Sequence, residues 1–191
     1  MRMPDGNALV TPSGMAYDTM VEDDVVLVSL EGEVIEGSRR PSVDSQALLH
    51  IYKNMPRVNA IIHTHQVYAT AISLVYDKVP NAVTTLATAS AGESYRSRRS
   101  DSTRGASAAA SRRFAASVSA SAAGASTDAF SSAASLKMGV ETVDNIGDSN
   151  AIILKNHGVI TVGGTLKEAL YAAVYLEDAV KTFFVAKSMG E

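Results

Sequence analysis

The segment Asn59-Ala60-Ile61-Ile62-His63-Thr64-His65 places two histidines at the end of a short apolar run. A short apolar run of this kind is typical of a buried strand. Alternate side chains of a strand point to the same face, so His63 and His65 would lie side by side where this strand ends. Two such imidazoles suit a transition metal such as zinc, which binds histidine nitrogens at about 2.0–2.1 Å. The pair is equally compatible with two ordinary histidines that bind no metal.

The other histidines favour the metal interpretation. The chain has four, and a third, His157, also follows an apolar run, Ala151-Ile-Ile-Leu154. Gly158 and a further apolar segment come next, so His157 is predicted to lie in a tight turn between two strands. Three histidines at strand ends, with a fourth coordination position open, form the pattern of a catalytic zinc site. His50 falls within a predicted helix and is expected to be a packed or surface residue.

Composition indicates an ordinary folded protein. The chain has 191 residues, of which 46% are hydrophobic, so it is long enough for one domain with a sizeable core. Its net charge is −3, so it lacks the overall positive charge that would suggest nucleic-acid binding. Without cysteine, any metal must be bound by histidine and carboxylate. No apolar run reaches the roughly 18 residues that span a bilayer, and the N-terminus does not resemble a signal peptide. We expect a cytoplasmic enzyme or binding protein for a small molecule, with neither nucleic acid nor membrane as partner.

The first part of the chain is predicted to contain strands at 7–11 and 25–29, the second paired with 34–35 in a hairpin. Ser42 is predicted to cap a helix over 43–54 whose buried face includes Leu48, Leu49 and Tyr52. Asp44 would then lie in the first helical turn, where the helix dipole favours a carboxylate. Two interpretations stay open for Asp44: it stabilises the helix, or it is a general acid and base beside the metal.

Three more helices are predicted after the histidine pair, at 67–76, at 136–146 and from the Gly163-Gly164-Thr165 turn to about residue 187. An extended piece is expected at 79–86. The buried side of the last helix is predicted to consist of its large apolar residues and one alanine: Leu166, Leu170, Ala173, Val174, Leu176 and Val180.

The segment at about 89–128 has a different character, since Ala, Ser, Gly and Arg dominate it and Leu, Ile, Met and Lys are absent from it. Such a stretch offers too little apolar surface to offset the entropy of ordering it. It is either a flexible insert whose arginines could contact an anionic partner, or the product of an out-of-frame reading of GC-rich DNA. The second interpretation is favoured.

Five motifs together resemble the class II aldolase/adducin family: Thr11-Pro-Ser-Gly14, Pro41-Ser-Val-Asp44, His63-Thr-His65, Asn156-His157-Gly158 and Gly163-Gly-Thr-Leu-Lys-Glu-Ala169. They follow the family's order and spacing. The resemblance implies an α/β fold, with a central, mainly antiparallel sheet flanked by helices in three αβα layers, as a single domain over residues 1–191. It also implies a homotetramer with active sites between subunits.

The resemblance assigns roles to particular residues. It implies one Zn²⁺, or another divalent metal, bound by His63, His65 and His157, with Asp44 as the acid and base. The substrate phosphate would be bound by four residues of the first two motifs: Thr11, Ser13, Gly14 and Ser42. The family's usual helix and Gly-Asn-x-Ser loop before the first strand are missing, so the chain is expected to be N-terminally truncated relative to the family.

The function implied is that of a zinc-dependent aldolase, a metal-dependent aldehyde-lyase. It would cleave a phosphorylated ketose, similar to L-fuculose 1-phosphate, to dihydroxyacetone phosphate and an aldehyde by retro-aldol chemistry. One alternative is an enzyme similar to L-ribulose-5-phosphate 4-epimerase, because Asp44 stands where the epimerases carry aspartate and the aldolases usually carry glutamate. Another is a non-catalytic interaction domain similar to that of adducin.

Overall fold

A computed structural model describes residues 1–76, 118–120 and 128–190, with side chains of the last range described from Ser135 onward. The extended piece expected at 79–86, and most of the Ala/Ser/Arg-rich segment, lie outside these residues. The elements in chain order are β1 (Ala8–Val10), β2 (Val26–Val28), β3 (Val34–Glu36), α1 (Ser45–Asn54), β4 (Ala60–Thr64), α2 (Val67–Val75), β5 (Val118–Ala120), α3 (Asp128–Ile146), β6 (Ala151–Lys155), β7 (Gly158–Gly163) and α4 (Leu166–Ser188). A 3-10 turn, Glu22–Asp24, precedes β2.

The described strands form two sheets. The smaller one has the order β1-β2-β3 and is antiparallel throughout. The larger one has the order β4-β7-β6-β5, in which β7 runs antiparallel to both of its neighbours and β5 runs parallel to β6. The predicted mainly antiparallel architecture is therefore confirmed, with the strands divided between two sheets.

The larger sheet is covered by helices on both faces. Because side chains alternate along a strand, Ile152 and Leu154 of β6 pack in the cluster that contains the buried residues of α1 and α3. Ala151 and Ile153 of the same strand pack on the opposite face, against α2 and α4. This arrangement confirms the three αβα layers and explains why β6 is apolar along most of its length.

The start of α1 differs from the prediction. The helix begins at Ser45 and Asp44 is its N-cap residue, so Ser42 does not cap the helix and Asp44 precedes the first turn. Ser42 forms a local turn instead: its carbonyl accepts from the Ser45 N–H at 3.0 Å, and its Oγ accepts from the Asp44 N–H at 3.3 Å. Of the face predicted to be buried, Leu49 and Tyr52 are buried and Leu48 is half-buried.

The buried face of α4 is only partly the one predicted. Leu166, Leu170 and Val174 are 52%, 49% and 47% exposed, whereas Ala173, Leu176 and Val180 are buried as expected. The remaining buried positions are alanines: Ala169, Ala172 and Ala179. Small residues on this face let the helix lie close to the sheet, whereas Leu166, Leu170 and Val174 lie on its outer side. The predicted start of α4 is confirmed, since Thr165 Oγ1 accepts from the Glu168 N–H at 3.2 Å.

Within the described ranges, none of the helices has the length and apolar character that crossing a membrane requires.

Candidate metal centre

Two histidines lie at the end of β4, at the edge of the larger sheet. His63 is the register partner of Ile160 on β7, and His65 follows the last strand residue, Thr64. The centroids of the two histidine rings are 5.1 Å apart. The i, i+2 spacing therefore brings the two imidazoles to one side of the strand end, as the sequence predicted.

The turn between β6 and β7 brings the third histidine to the same place. Asn156 has a φ of 61°, in the left-handed region that asparagine tolerates better than most residues, and the His157 N–H donates to the Leu154 carbonyl at 3.1 Å. The His157 ring lies 5.0 Å from each of the other two rings, centroid to centroid. One ligand nitrogen from each histidine lies within 4.8 Å of the others, so the group could hold a metal ion.

Hydrogen bonding leaves one nitrogen of His63 available as a ligand. His63 Nδ1 lies 2.9 Å from the Val159 carbonyl, which can only accept, so Nδ1 carries the proton. Nε2 is therefore the atom with a free lone pair. It is buried and has no hydrogen-bond partner among the described residues. Metal-binding histidines usually donate their other N–H to a carbonyl or carboxylate in this way, so the residues present fit a divalent metal.

The environment also favours the neutral form of His63 and His157. Burial lowers the pKa of His63 below its ordinary value, and His65 lowers it further, against the opposing effects of Asp44 and the Val159 carbonyl. Burial likewise lowers the pKa of His157, and the nearby His63 and His65 rings lower it further. A histidine must be deprotonated to bind a metal, so these shifts favour the binding form at neutral pH.

Asp44 lies beside the three histidines. Its Oδ2 atom is 4.0 Å from His63 Nε2, and its side chain is 30% exposed. The Asp44 side chain makes no capping hydrogen bond to α1. Of the two interpretations open from the sequence, helix stabilisation is therefore the weaker, because the carboxylate faces the histidines instead of the first helical N–H groups.

The two motifs expected to bind phosphate lie against each other. Pro12 and Pro41 form an antiparallel bridge, the Ser13 N–H donates to the Arg40 carbonyl at 2.9 Å, and the Ser42 N–H donates to the Thr11 carbonyl at 3.0 Å. Since these two N–H groups are engaged, the groups left for a ligand here are the hydroxyls of Thr11, Ser13 and Ser42 and the turn at Gly14, which has a φ of +70°. The structure thus brings together Thr11–Gly14 and Ser42, with Asp44 two residues further on.

Gly158 lies against the site, a contact that the sequence did not predict. A Cβ atom at this position would lie 2.5 Å from the Thr64 carbonyl oxygen and 2.8 Å from His65 Cδ2. Only glycine therefore lets β7 pass this close to the ring of His65. Its position immediately after His157, before an apolar strand, was the available signal. His50 lies on α1, where its carbonyl accepts from Asn54, and it is not part of the three-histidine group.

Comparison with known proteins defines the class. The sequence matches the family described as Class II Aldolase and Adducin N-terminal domain over residues 1–184. The chain therefore belongs to the class II aldolase/adducin family.

Solved structures share the fold at low sequence identity. An L-fuculose 1-phosphate aldolase is 23% identical with a TM-score of 0.71, over 96% of this chain and 71% of that chain. YgbL from Escherichia coli is 20% identical with a TM-score of 0.73, over 97% and 76%. The L-fuculose-1-phosphate aldolase from Thermus thermophilus is 20% identical with a TM-score of 0.68, over 95% and 78%. At these identities the likeness establishes the fold.

Proposed function

We propose that this chain is a metal-dependent aldehyde-lyase that cleaves a phosphorylated ketose, similar to L-fuculose 1-phosphate, into dihydroxyacetone phosphate and an aldehyde. One observation carries the proposal: three imidazole nitrogens lie within 4.8 Å of one another, and the Asp44 carboxylate is 4.0 Å from His63 Nε2. Membership of the aldolase family, and the fold shared with L-fuculose 1-phosphate aldolase, support it.

The donor set suits Zn²⁺ best, although another divalent metal would fit. Three histidines are one of the ligand sets of catalytic zinc, and His63, His65 and His157 would hold the ion. When bound, such a metal supplies Lewis-acid stabilisation of negative charge on a carbonyl oxygen. The Val159 carbonyl orients His63 for this role, and the Asn156 turn orients His157.

Asp44 is proposed to move the proton. In a retro-aldol cleavage a base removes the proton from the hydroxyl of the departing carbon, and the electron pair of the broken carbon–carbon bond passes toward the carbonyl. The carbon left behind must then be protonated. A carboxylate beside the metal ligands is placed to take and return that proton, a contribution of typically about 10²–10⁴-fold in rate.

The phosphate of the substrate is proposed to bind at Thr11, Ser13, Gly14 and Ser42. The bridge between Pro12 and Pro41 fixes the two motifs against each other, so their hydroxyls can act together. Short hydroxyl side chains beside a left-handed glycine are suited to a phosphate oxygen. Ser42 Oγ also contacts the Asp44 N–H, which would place the phosphate next to the acid and base.

The proposal extends to assembly and location. We propose a homotetramer with active sites between subunits, working in the cytoplasm. The exposed apolar side chains of Leu166, Leu170 and Val174 recur every fourth residue on α4 and offer one surface for a neighbouring subunit. Size measurement by light scattering tests the assembly separately from the chemistry.

The decisive experiment measures metal content and product together. The purified protein is expected to contain about one zinc per chain and to release dihydroxyacetone phosphate from L-fuculose 1-phosphate in a coupled dehydrogenase assay. Chelation should abolish release, and added Zn²⁺ should restore it. A second candidate, the epimerase, is favoured by the aspartate at position 44; epimerisation of L-ribulose 5-phosphate without aldol cleavage would assign it. A metal-free protein inactive on both sugars would support an adducin-like interaction domain.

A further inference from the structure

Helix α4 caps the start of α2, directly after the second histidine. Glu177 Oε1 accepts from the Tyr68 N–H and Glu177 Oε2 accepts from the Ala69 N–H, both at 3.0 Å. The first N–H groups of a helix lack partners within the helix, and the N-cap residue of α2, Gln66, makes no side-chain capping bond of its own. A carboxylate from another helix supplies the missing acceptors and meets the positive end of the helix dipole.

Gln66, at the N-terminus of α2, makes a further contact with α4. Its Nε2 donates to the Ala173 carbonyl at 2.8 Å. Gln66 is the residue after His65. The contacts that Ala173 and Glu177 of α4 make with Gln66 and with the start of α2 therefore fix the chain on the C-terminal side of His65. The ring of Tyr68 also contacts α4: Lys181 Nζ lies 5.6 Å from its centroid, and the Phe184 ring centroid is 6.0 Å away.

Helix α2 also contacts the turn that contains the third histidine. Ser73 of α2 is fully buried, and its Oγ accepts from the Asn156 N–H at 3.2 Å. That hydroxyl donates to the Thr70 carbonyl at 2.6 Å, so its lone pairs are directed at Asn156. Asn156 is the left-handed residue immediately before His157. A displacement of α2 would therefore move both histidine-bearing segments.

We propose that Glu177 is a positioning residue for the three-histidine group. It touches none of the histidines; it fixes α2, which holds His65 at its N-terminus and, through Ser73, the turn of His157. The expected effect of Glu177 on metal binding rests on the proposed function. Its expected effect on the positions of the His65 and His157 segments does not. Groups that hydrogen-bond directly to metal ligands typically change metal affinity by about 10–100-fold when replaced. Because Glu177 fixes the helix that holds two of the three histidine segments, we expect its replacement to have an effect in the same range.

Amide hydrogen exchange of the metal-free protein tests the route directly. Glu177→Ala is expected to speed exchange at least about tenfold at Tyr68 and Ala69, which lose their acceptor, and also at Asn156, which Glu177 does not touch. Asp178→Ala removes the same charge from the next, exposed position and should leave all three amides unchanged. Faster exchange at Tyr68 and Ala69 with an unchanged Asn156 would overturn the proposal.

Zinc affinity, measured by competition with a chromophoric chelator, gives the second readout. We expect about 10–100-fold weaker binding for Glu177→Ala, an intermediate loss for Glu177→Gln, which keeps one acceptor oxygen, and a change of less than about twofold for Asp178→Ala. Wild-type affinity in Glu177→Ala would also overturn the proposal. If the unmodified protein binds no zinc, the proposed function fails, and the exchange experiment alone decides the role of Glu177.

Ser73→Ala provides the second variant in case Glu177→Ala does not fold. It removes the acceptor of the Asn156 N–H and leaves the cap at Tyr68 and Ala69 in place. Exchange should therefore rise at Asn156 alone, with weakened zinc binding. Combined with Glu177→Gln, its effect on zinc affinity should be less than additive, because both act through α2. Full additivity would contradict a shared route.

Discussion

Asp44 Oδ2 lies 4.0 Å from His63 Nε2. The N-terminus of α1 and the end of β4 therefore meet at the histidine group. The carboxylate comes from the start of α1, whereas the imidazoles come from the end of β4 and from the turn between β6 and β7. Proton transfer and metal binding should therefore be separable by substitution.

Replacing Asp44 with asparagine is expected to lower kcat for dihydroxyacetone phosphate release by about 10²–10⁴-fold, because the amide cannot take up the proton. Zinc content should stay at the unmodified level, since the histidine ligands are retained. Steady-state kinetics and elemental analysis of the same sample measure both. Asp23→Asn, which changes an exposed acid elsewhere, serves as the control and should keep the full rate. An unaltered rate in Asp44→Asn would remove this residue from the mechanism.

Replacing His157 with alanine should weaken zinc binding by more than about 100-fold, beyond the usual effect of an outer partner, because one ligand is lost. His50→Ala is the matched control: it removes the histidine of α1 that lies outside the group, and it should bind zinc as the unmodified protein does. Chelator competition measures both affinities. Equal affinities for the two variants would mean that zinc binds elsewhere.

Substituting Gly158 with alanine should destabilise the protein and weaken zinc binding, since the new methyl group would overlap both the Thr64 carbonyl and the His65 ring. Overpacking of this kind costs about 1–3 kcal/mol in the free energy of unfolding. Gly139→Ala is the comparison, because its Cβ would lie 2.8 Å from the backbone of Ala47, in the contact between α3 and α1. Urea unfolding should show a loss in both variants, whereas zinc affinity should fall only in Gly158→Ala.

The stability of the metal-free protein should depend on pH through the buried histidines. Burial lowers the folded-state pKa of His63 and His157 below the ordinary value of 6.5. As the pH falls below about 6.5 the unfolded chain takes up protons that the folded chain does not, so the free energy of unfolding decreases until the lower folded pKa is reached. Above that window both states are neutral and these histidines add no pH dependence.

Urea unfolding between pH 8 and pH 5.5 measures this slope, which for His63 is at most about 1.4 kcal/mol per pH unit. His63→Gln should flatten the curve, because glutamine does not titrate. A curve that keeps its full slope in this variant would show that His63 is not the residue responsible. Sufficient Zn²⁺ should also shift the loss of stability to lower pH, since the metal competes with protons for the same nitrogens.

Most of the site was predictable from local pattern. The histidine pair and the turn at His157 follow from apolar runs that end in polar residues, and a strand's alternation places His63 and His65 on one side. The buried face of α4 was predicted less well: a helix with apolar residues all round has more than one face that could be buried. Ala169, Ala172 and Ala179 were buried in place of Leu166, Leu170 and Val174 because close approach to the sheet favours small side chains.

By itself, the sequence determined most of the strands and helices, the three histidines and the family, because these depend on residue spacing along the chain. It did not predict β5 or the first eight residues of α3, which lie in or directly after the Ala/Ser/Arg-rich segment. Only the tertiary structure decided that Asp44 faces His63 without capping α1, that Gly158 lies against His65, and that Glu177 caps α2. Each of these contacts joins residues from different elements. Local periodicity carries no information about such pairs, because their distance is set by how the layers pack.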